Sequence, residues 1–235
     1  MNINRESLNG VKVYPFTSID ELIKAAEQEK KVLVAINAEK VVLATDQTRN
    51  IIERNIGYCD GAGPVKVLKK RGHKNVIRIP GCELWLHIIE KLSLKGKTFY
   101  FIGSRDEIIE ATIAKVKKEF PHINIVNYRN GFIKSDEERN ALIADVVEKK
   151  PDVCFVAMGS PKQEILMEEM CKRHPAIYQG LGGSFDVYTG NVKRAPEWCC
   201  KMNMEWAYRF WAQPTRLGRL KNYINFFIQM ELGKL

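Results

Sequence analysis

Two polar residues that could take part in acid–base chemistry directly follow apolar runs of the chain. Asn37 comes after the run Val-Leu-Val-Ala-Ile at 32–36, and Asp60 opens the segment Asp-Gly-Ala-Gly at 60–63. A carboxylate at the end of a strand can act as a general base toward a hydroxyl, and an amide there can contact a ligand. The alternative is structural, because Asp and Asn also form turns and cap helices.

The segment 159–164, Gly-Ser-Pro-Lys-Gln-Glu, places three different polar groups at one predicted helix start. Proline suits the first position of a helix, so the side chains of Lys162, Gln163 and Glu164 lie close to its N-terminus. A cation, an amide and a carboxylate together could hold a diphosphate and a sugar or ribose. The alternative is a solvated first turn, in which Glu164 interacts favourably with the helix dipole.

Glycine-rich turns supply further candidate contacts for phosphate, through backbone N–H groups that precede helices. These turns contain Gly63, Gly103, Gly159, Gly182 and Gly183. Glycine is also the ordinary residue of tight turns, so each turn has a purely structural alternative. No G-x-G-x-x-G follows the first strand and no G-x-x-x-x-G-K-[ST] occurs, so neither nucleotide-binding fingerprint is supported. The loop 182–196 adds Asp186 and two cations, which is unusual for a plain connection.

The cysteines and the apolar runs bound the class of protein. The six cysteines form no C-x-x-C and no zinc-type spacing with histidine, so we predict no metal site. The vicinal pair Cys199–Cys200 could be redox-active, although free cysteines usually pack as small hydrophobes. No run approaches the ~18–20 apolar residues of a membrane span, and residues 1–10 lack the apolar core of a signal peptide. We therefore expect a cytoplasmic protein.

The elements that must position these residues alternate between strands and helices. Predicted strands cover 32–36, 56–59, 76–79, 97–102, 123–128, 153–157 and 176–179. Predicted helices cover 39–54, 82–94, 106–120 and 135–149, the last opened by a capping box at Ser135 and Glu138, and a further helix follows Pro161. This alternation predicts an α/β fold, a Rossmann-like parallel sheet flanked by helices. Ligands of such sheets lie beyond the carboxyl ends of the strands, where the polar segments fall.

Residues 196–235 differ in composition from the rest and predict a C-terminal helical appendage to a catalytic domain at 1–195. The chain carries 37 − 28 = +9 charges, and residues 201–235 alone carry six cations and two anions, or +4, with seven aromatic residues. Such a segment favours a membrane face, a nucleic acid or a docked helix with a solvated basic side. A helix at 215–232 would carry an apolar stripe, formed by Leu217, Leu220, Ile224, Phe227 and Ile228.

Taken in order, the motifs resemble the WecG/TagA/CpsF family of bacterial glycosyltransferases over about residues 10–225. Pro-Lys-Gln-Glu at 161–164 and Lys-Arg-Ala-Pro at 193–196 are the most specific. Further matches lie at 35–40, 60–63, 78–83, 130–132, 156–164, 182–186, 190–196, 205–206, 208–209, 214 and 216. The segments 33–40, 156–165 and 186–196 are most similar to the branch that transfers N-acetylmannosaminuronic acid in enterobacterial common antigen synthesis. The basic stretch 66–74 after Pro64 and the glutamate at position 83 depart from the family pattern.

The resemblance implies transfer of a sugar from a UDP donor to a sugar on undecaprenyl diphosphate, at the inner face of the cytoplasmic membrane. Family members of the teichoic acid branch move N-acetylmannosamine onto lipid-linked N-acetylglucosamine with inversion. The family fold is Rossmann-like, with a C-terminal appendage that helps complete the active site. Catalysis in the family is regarded as metal-independent, so no cofactor is expected, and the missing D-x-D motif agrees with this.

The resemblance also implies roles for single residues. Asp60 would be the general base that takes the proton of the acceptor hydroxyl, and Asn37 would lie near the sugar. The donor would be bound by Gly103, Gly159, Lys162, Gln163, Glu164, Gly182 and Asp186. Without a metal, fixed cations must stabilise the departing diphosphate, and the candidates are Arg209, Arg216 and Arg219.

Several alternatives stay open at this level. The donor could instead be UDP-N-acetylmannosamine or a UDP-hexose. A uronate donor would need an extra cation for its carboxylate, and Lys193, Arg194 or the tail could supply it. Outside the transferase class, a nucleotide-dependent oxidoreductase shares the fold, and the net charge would suit a nucleic-acid-binding module. We expect no nucleic-acid partner. The oligomeric state is open, with a homo-oligomer as one option.

Overall fold

A computed structural model describes residues 3–193, 195, 196, 198, 199, 208 and 218–235. Its strands are β1 (Glu6–Leu8), β2 (Val11–Val13), β3 (Val32–Ile36), β4 (Ile56–Cys59), β5 (Thr98–Gly103), β6 (Asn124–Arg129), β7 (Val153–Ala157) and β8 (Ile177–Gly180). β1 and β2 form an antiparallel hairpin. The others form one parallel sheet in the order β4-β3-β8-β7-β5-β6.

Helices cover both faces of the sheet. They are α1 (Ile19–Glu29), α2 (Ala38–Val42), α3 (Asp46–Arg54), α4 (Ala62–Lys70), α5 (Gly81–Ser93), α6 (Asp106–Glu119), α7 (Asp136–Lys149), α8 (Lys162–Arg173), α9 (Ser184–Tyr188) and α10 (Leu220–Glu231). The predicted α/β class, a Rossmann-like parallel sheet flanked by helices and followed by a C-terminal helix, is confirmed. The division into units at residue 195 stays a prediction.

Alternation of side chains along the strands explains the two cores. Phe155 of β7 belongs to the core that includes α1, α5 and α6, whereas Val156 belongs to the core that includes α7, α8 and α10. Both faces of the inner strands are apolar and covered, so β3 and β7 are continuous apolar runs rather than alternating ones. This is why these strands could be predicted from the sequence.

The order of the strands decides where a ligand can enter. The chain leaves β3 for β4 at one edge of the sheet, whereas β8 reaches the other side of β3 from β7. The carboxyl ends of β4, β3 and β8 therefore lie side by side at one edge of the sheet, which is where parallel sheets bind their ligands.

Local structure departs from the sequence prediction at several places. The helix predicted at 39–54 is two helices, because Thr45 and Thr48 form a reciprocal capping box that starts α3. The segment 76–79 is not a strand, although Ile79 N donates to Cys59 O at 2.8 Å. Helices α4 and α9 lie where turns or loops were expected, and β1, β2 and α1 were not predicted. β1 and β2 have only three residues each and α9 has five, so they carry little periodic signal. Helix α1 was missed although Ser18 caps it and its apolar residues have helical spacing.

The capping box predicted at Ser135 is only half formed. Ser135 Oγ accepts a hydrogen bond from Glu138 N at 3.3 Å, as expected for an N-cap. The Glu138 carboxylate, however, accepts from Lys134 N at 3.0 Å rather than from the cap residue itself. The helix start was predicted correctly, because the serine alone satisfies its first turn.

Helix α10 buries a different face from the one predicted. Ile224 and Ile228 are 52% and 54% exposed, whereas Phe226 and Met230 are buried together with Asn222. The reason is the groove that receives the helix: a Cβ on Gly63 of α4 would lie 2.7 Å from the Phe226 ring. Leu217 of the predicted stripe lies outside the described residues.

The basic stretch that follows Pro64 belongs to α4 and the turn after it. Lys66 and Lys70 lie 3.7 Å and 2.8 Å from the carboxylate of Glu231 at the end of α10. Arg71 donates to Glu6 and to the backbone oxygen of Leu235. These cations therefore contact the N-terminal hairpin and the C-terminal helix rather than forming only a solvated face.

Candidate active site

A cavity of about 950 Å³ lies beyond the carboxyl ends of β3, β4 and β8. Seven of the residues to which the family resemblance gives a role line it: Asn37, Asp60, Gly159, Gln163, Glu164, Gly182 and Arg219. Parallel strands bring their carboxyl ends to one edge, so residues far apart in the chain meet there. The cavity is therefore the candidate active site.

Asp60 stands where β4 ends and is held by backbone groups on two sides. Its N–H donates to Ile36 O at 3.0 Å, which ties the ends of β4 and β3 together. Its Oδ1 accepts from Gly81 N, the first residue of α5, at 2.7 Å. A helix N-terminus stabilises a negative charge, so this contact favours the ionised carboxylate that a general base needs.

Asn37 combines the two roles that its sequence position allowed. Its Oδ1 accepts from Lys40 N at 2.9 Å and caps α2. Because the oxygen serves as the cap, the amide nitrogen is the part of the side chain left for a ligand in the cavity. The helix cap thus fixes the orientation of that nitrogen.

Gln163 connects two turns through hydrogen bonds to its side-chain oxygen. Its buried Oε1 accepts from Gly159 N at 3.1 Å and from Gly182 N at 2.9 Å. These N–H groups belong to the turns that follow β7 and β8. The predicted contact of Gln163 with the donor stays a prediction, and its oxygen already holds the two glycine turns in place.

Glu164 forms a buried ion pair with a lysine that sequence reasoning missed. Lys40 Nζ lies 2.5 Å from Glu164 Oε1, and the two side chains are 14% and 4% exposed. Burial opposes ionisation of Glu164, but the Lys40 ammonium, the helix backbone and Gln163 outweigh it and lower the pKa. Glu164 Oε2 is buried without a hydrogen bond to any described residue. Both groups are therefore ionised. They form part of the cavity wall, and their opposite charges cancel.

Three predicted donor contacts lie away from the cavity. Gly103 has φ +139°, and a Cβ there would lie 2.4 Å from Ala157 O, so strand packing requires glycine. Asp186 accepts from Ser104 Oγ at 3.0 Å and from Asn191 Nδ2 at 2.9 Å. Lys162 is exposed at the start of α8. The structure does not bring these three residues to the site that Asp60 borders.

Positive electrostatic potential comes from a helix end and from two arginines. Helix α4 begins at Ala62 in the cavity wall, and no described side chain caps it. The first N–H groups of a helix have no partner within the helix, so this end favours a bound anion. Arg78, half-buried, donates to Asp60 O at 2.8 Å and also lines the cavity. Sequence reasoning gave Arg78 no role, although it opens the matched segment 78–83, where an arginine before Pro-Gly was a usable signal.

Arg219, at the start of α10, is the one predicted diphosphate contact that the structure describes. Its Nη1 lies 3.5 Å from Glu39 Oε2 of α2, and the side chain is more than half exposed. Asn222 Nδ2 lies at the same distance from Glu39 Oε1. Arg209 and Arg216, and the candidate cation Arg194, lie outside the described residues. Within the described ranges, no helix is long and apolar enough to cross a membrane.

The comparison with known protein families gives one match that spans nearly the whole chain. The family model of the glycosyl transferase WecG/TagA/CpsF family matches residues 7–232. The match includes every element from β2 to α10, and thus all the residues that line the cavity. The chain therefore belongs to the WecG/TagA/CpsF family of glycosyl transferases.

Proposed function

We propose that this protein transfers a sugar, with inversion, from a UDP donor to a sugar hydroxyl on an undecaprenyl-diphosphate carrier. The observation that carries the proposal is Asp60, a carboxylate anchored by the N-terminus of α5 at the wall of a cavity of about 950 Å³. A nucleotide sugar and an acceptor sugar are both large polar molecules. They need a cavity of this order, within the usual ~300–1,000 Å³ of ligand sites.

In the proposed reaction the acceptor hydroxyl attacks the anomeric carbon of the donor. The new glycosidic bond forms as the bond to the UDP oxygen breaks, and UDP leaves with that electron pair. Asp60 takes the hydroxyl proton, a step that typically contributes about 10²–10⁴-fold. A single displacement needs no covalent intermediate on the protein, which suits one base and inversion.

The departing diphosphate is stabilised by fixed positive charge in this proposal. The open N-terminus of α4, Arg78 and Arg219 border the cavity, and Arg209 and Arg216 follow from the family resemblance. Preorganised guanidinium groups bind diphosphate oxygens bidentately. We therefore propose that turnover needs no metal and survives EDTA.

The acceptor and the membrane are proposed to meet the protein at α10. Ile224, Phe227 and Ile228 form the outward face of this helix, and Leu43 is exposed beside the cavity. Phe227 and Leu43 also line the cavity, so the apolar surface continues to its mouth. This surface suits the hydrocarbon of a lipid-linked acceptor, while nearby cations attract anionic headgroups by about 1 kcal/mol each. We accordingly place the protein peripherally at the inner face of the cytoplasmic membrane.

For the donor sugar we propose N-acetylmannosaminuronic acid. The support is the similarity of residues 33–40, 156–165 and 186–196 to that branch, which makes enterobacterial common antigen. UDP-N-acetylmannosamine, the teichoic acid type, and a UDP-hexose are the alternatives. Lys193 is exposed in the described chain and is a candidate partner for the uronate carboxylate.

The test is acceptor-dependent release of UDP, measured with EDTA present. The acceptor is a short-chain lipid diphosphate carrying N-acetylglucosamine, and each of the three donor types is supplied in turn. Wild-type protein is compared with Asp60→Asn, whose amide oxygen can still accept from Gly81 N, and with Asp136→Asn, an exposed control on α7. We expect turnover with one donor, lost in Asp60→Asn and retained in Asp136→Asn. Turnover near the wild-type rate in Asp60→Asn would refute the proposed base.

A further inference from the structure

Gln179 is a buried polar side chain that the proposed reaction does not use. It lies in β8 and is 0% exposed, on the sheet face that α1 and α5 cover. A buried amide is costly unless it is hydrogen-bonded, because it loses its contacts with water. The partner of Gln179 therefore indicates what the side chain holds.

That partner is the first residue of α5, which also contacts the proposed base. Gln179 Nε2 donates to Gly81 O at 3.0 Å. Gly81 N in turn donates to Asp60 Oδ1 at 2.7 Å. A single glycine is thus held by the sheet through its carbonyl and holds the carboxylate through its N–H.

The surroundings of Gly81 make its position depend on these contacts. A Cβ on this residue would lie 2.9 Å from Tyr58 Oη and 3.6 Å from Asp60 Oδ1, so the backbone itself packs against both side chains. The preceding segment is tied to the end of β4 by the bond from Ile79 N to Cys59 O. A small shift of Gly81 therefore changes its distance from the carboxylate directly.

We propose that Gln179 is a positioning residue for Asp60, acting through the backbone of Gly81. The inference rests on the proposed function, in which Asp60 is the base. Gln179 lies behind the wall of the cavity and touches no substrate. It keeps the Gly81 N–H directed at Oδ1, and this bond both orients the carboxylate and favours its ionised form.

A buried polar side chain far from Gly81 provides a matched control. Thr112 of α6 is 0% exposed, like Gln179, and its Oγ1 donates to Ile108 O of the same helix at 2.7 Å. Thr112→Val removes this buried hydroxyl at nearly constant volume. It leaves the contacts of Gly81 with Gln179, Tyr58 and Asp60 in place.

The experiment compares Gln179→Met, which keeps the side-chain length but removes the donor, with Thr112→Val. Rates of UDP release are measured as a function of pH, with the donor and lipid acceptor that support wild-type turnover. For Gln179→Met we expect kcat about tenfold lower, since misplacing a catalytic group is costly. The acid limb of the kcat profile moves to higher pH, because Asp60 loses a bond that favours ionisation. The KM for the donor stays within about twofold, and Thr112→Val keeps the wild-type profile.

Thermal melts first establish that Gln179→Met is folded, and Gln179→Leu replaces it if it is not. An unchanged kcat and acid limb in the folded variant would overturn the inference. So would an equal fractional loss of kcat when the substitution is made in wild type and in Asp60→Asn, because positioning acts only through Asp60. Wild-type turnover in Asp60→Asn alone would overturn the proposed function and this inference with it. A negative result confined to Gln179→Met leaves the proposed function standing.

Discussion

The two halves of the carboxyl edge of the sheet use similar residues in different ways. Beyond β3, β4 and β8, Asp60 borders a cavity and is anchored by Gly81 N. On the other side of the edge, where Ser104 follows β5, Asp186 of α9 accepts hydrogen bonds from Ser104 with one carboxylate oxygen and from Asn191 with the other. An aspartate near a strand end is thus available for chemistry only where the chain leaves space beside it.

The packing of the connecting segments accounts for the difference between the halves. Beyond β3, β4 and β8 the described segments leave a cavity of about 950 Å³ between them. At β5 the neighbouring loops close together instead: a Cβ on Gly131 would lie 3.0 Å from Gly103 Cα and 3.1 Å from Met158 Cγ. The four substitutions below test this contrast between an open, reactive half and a closed, structural half.

The largest effect is expected from Asp60→Asn in the open half. We expect kcat to fall by about 10²–10⁴-fold, because the base for the acceptor hydroxyl is lost. The unfolding free energy should change little, since the amide oxygen still accepts from Gly81 N. Paired measurements of UDP release and urea unfolding check this, and a large loss of stability with normal turnover would contradict it.

Lys40→Met should destabilise the protein in a pH-dependent way. Glu164 is left buried and unpaired, and breaking a buried pair costs about 3–5 kcal/mol near neutral pH. In the wild type the pKa of Glu164 is lowered from 4.5, so the stabilisation is complete above that pH and is lost as pH falls through the folded pKa. In the variant burial raises this pKa instead, so stability is lost as pH rises.

The difference in unfolding free energy between wild type and Lys40→Met should therefore increase from about pH 4 to about pH 7. Urea unfolding at several pH values measures it. Lys162→Met, at an exposed lysine of the same region, serves as the control and should show no such trend. A gap that is constant across pH would show that the ion pair is not its cause.

Gln163→Leu should lower the stability of the open half and weaken binding of the donor. Gly159 N and Gly182 N lose their shared acceptor, which costs about 1–3 kcal/mol of unfolding free energy. Both turns line the cavity, so the KM for the donor should rise as well. Denaturant titration and steady-state kinetics test the two effects together. Lower stability with an unchanged KM would limit Gln163 to a structural role.

The smallest effect is expected from Asp186→Asn in the closed half. The amide oxygen can still accept from Asn191 Nδ2, and the amide nitrogen can donate to Ser104 Oγ, so the loss of stability should be about 1 kcal/mol or less. Because Asp186 does not line the cavity, kcat and KM should stay close to wild type. A loss of donor affinity measured by titration with UDP would instead support the predicted donor contact and weaken the contrast between the halves.

Much of the fold was predictable because its signals are local. The apolar runs at β3 and β7 are buried on both faces, and residues such as Ser135 and Gly159 mark the turns and helix starts around them. The family was predictable too, since segments such as 161–164 and 193–196 keep their residue types and order. Helix α4 and the break between α2 and α3 escaped prediction, because short helices carry little periodic signal.

The sequence predicted several residues of the candidate site, but not which of them the fold brings together. Asn37, Asp60 and the segment 159–164 could be singled out as polar residues at predicted strand ends, a rule that follows from parallel sheets. The same rule selected Gly103 and Asp186, which lie in the closed half. Position along a strand does not say which neighbouring loop fills the space beyond it.

Local patterns were enough to predict the parallel α/β architecture, the polar segments at the strand ends and the family, because each depends on residues close together in the chain. The pairing of Lys40 with Glu164, 124 positions away, could be found only in the folded chain, as could the bonds from Gln163 to the turns after β7 and β8. The same holds for α10, which buries Phe226 rather than its predicted stripe. Packing and long-range hydrogen bonds depend on the shape of the surface that each side chain meets, and a local pattern does not contain that information.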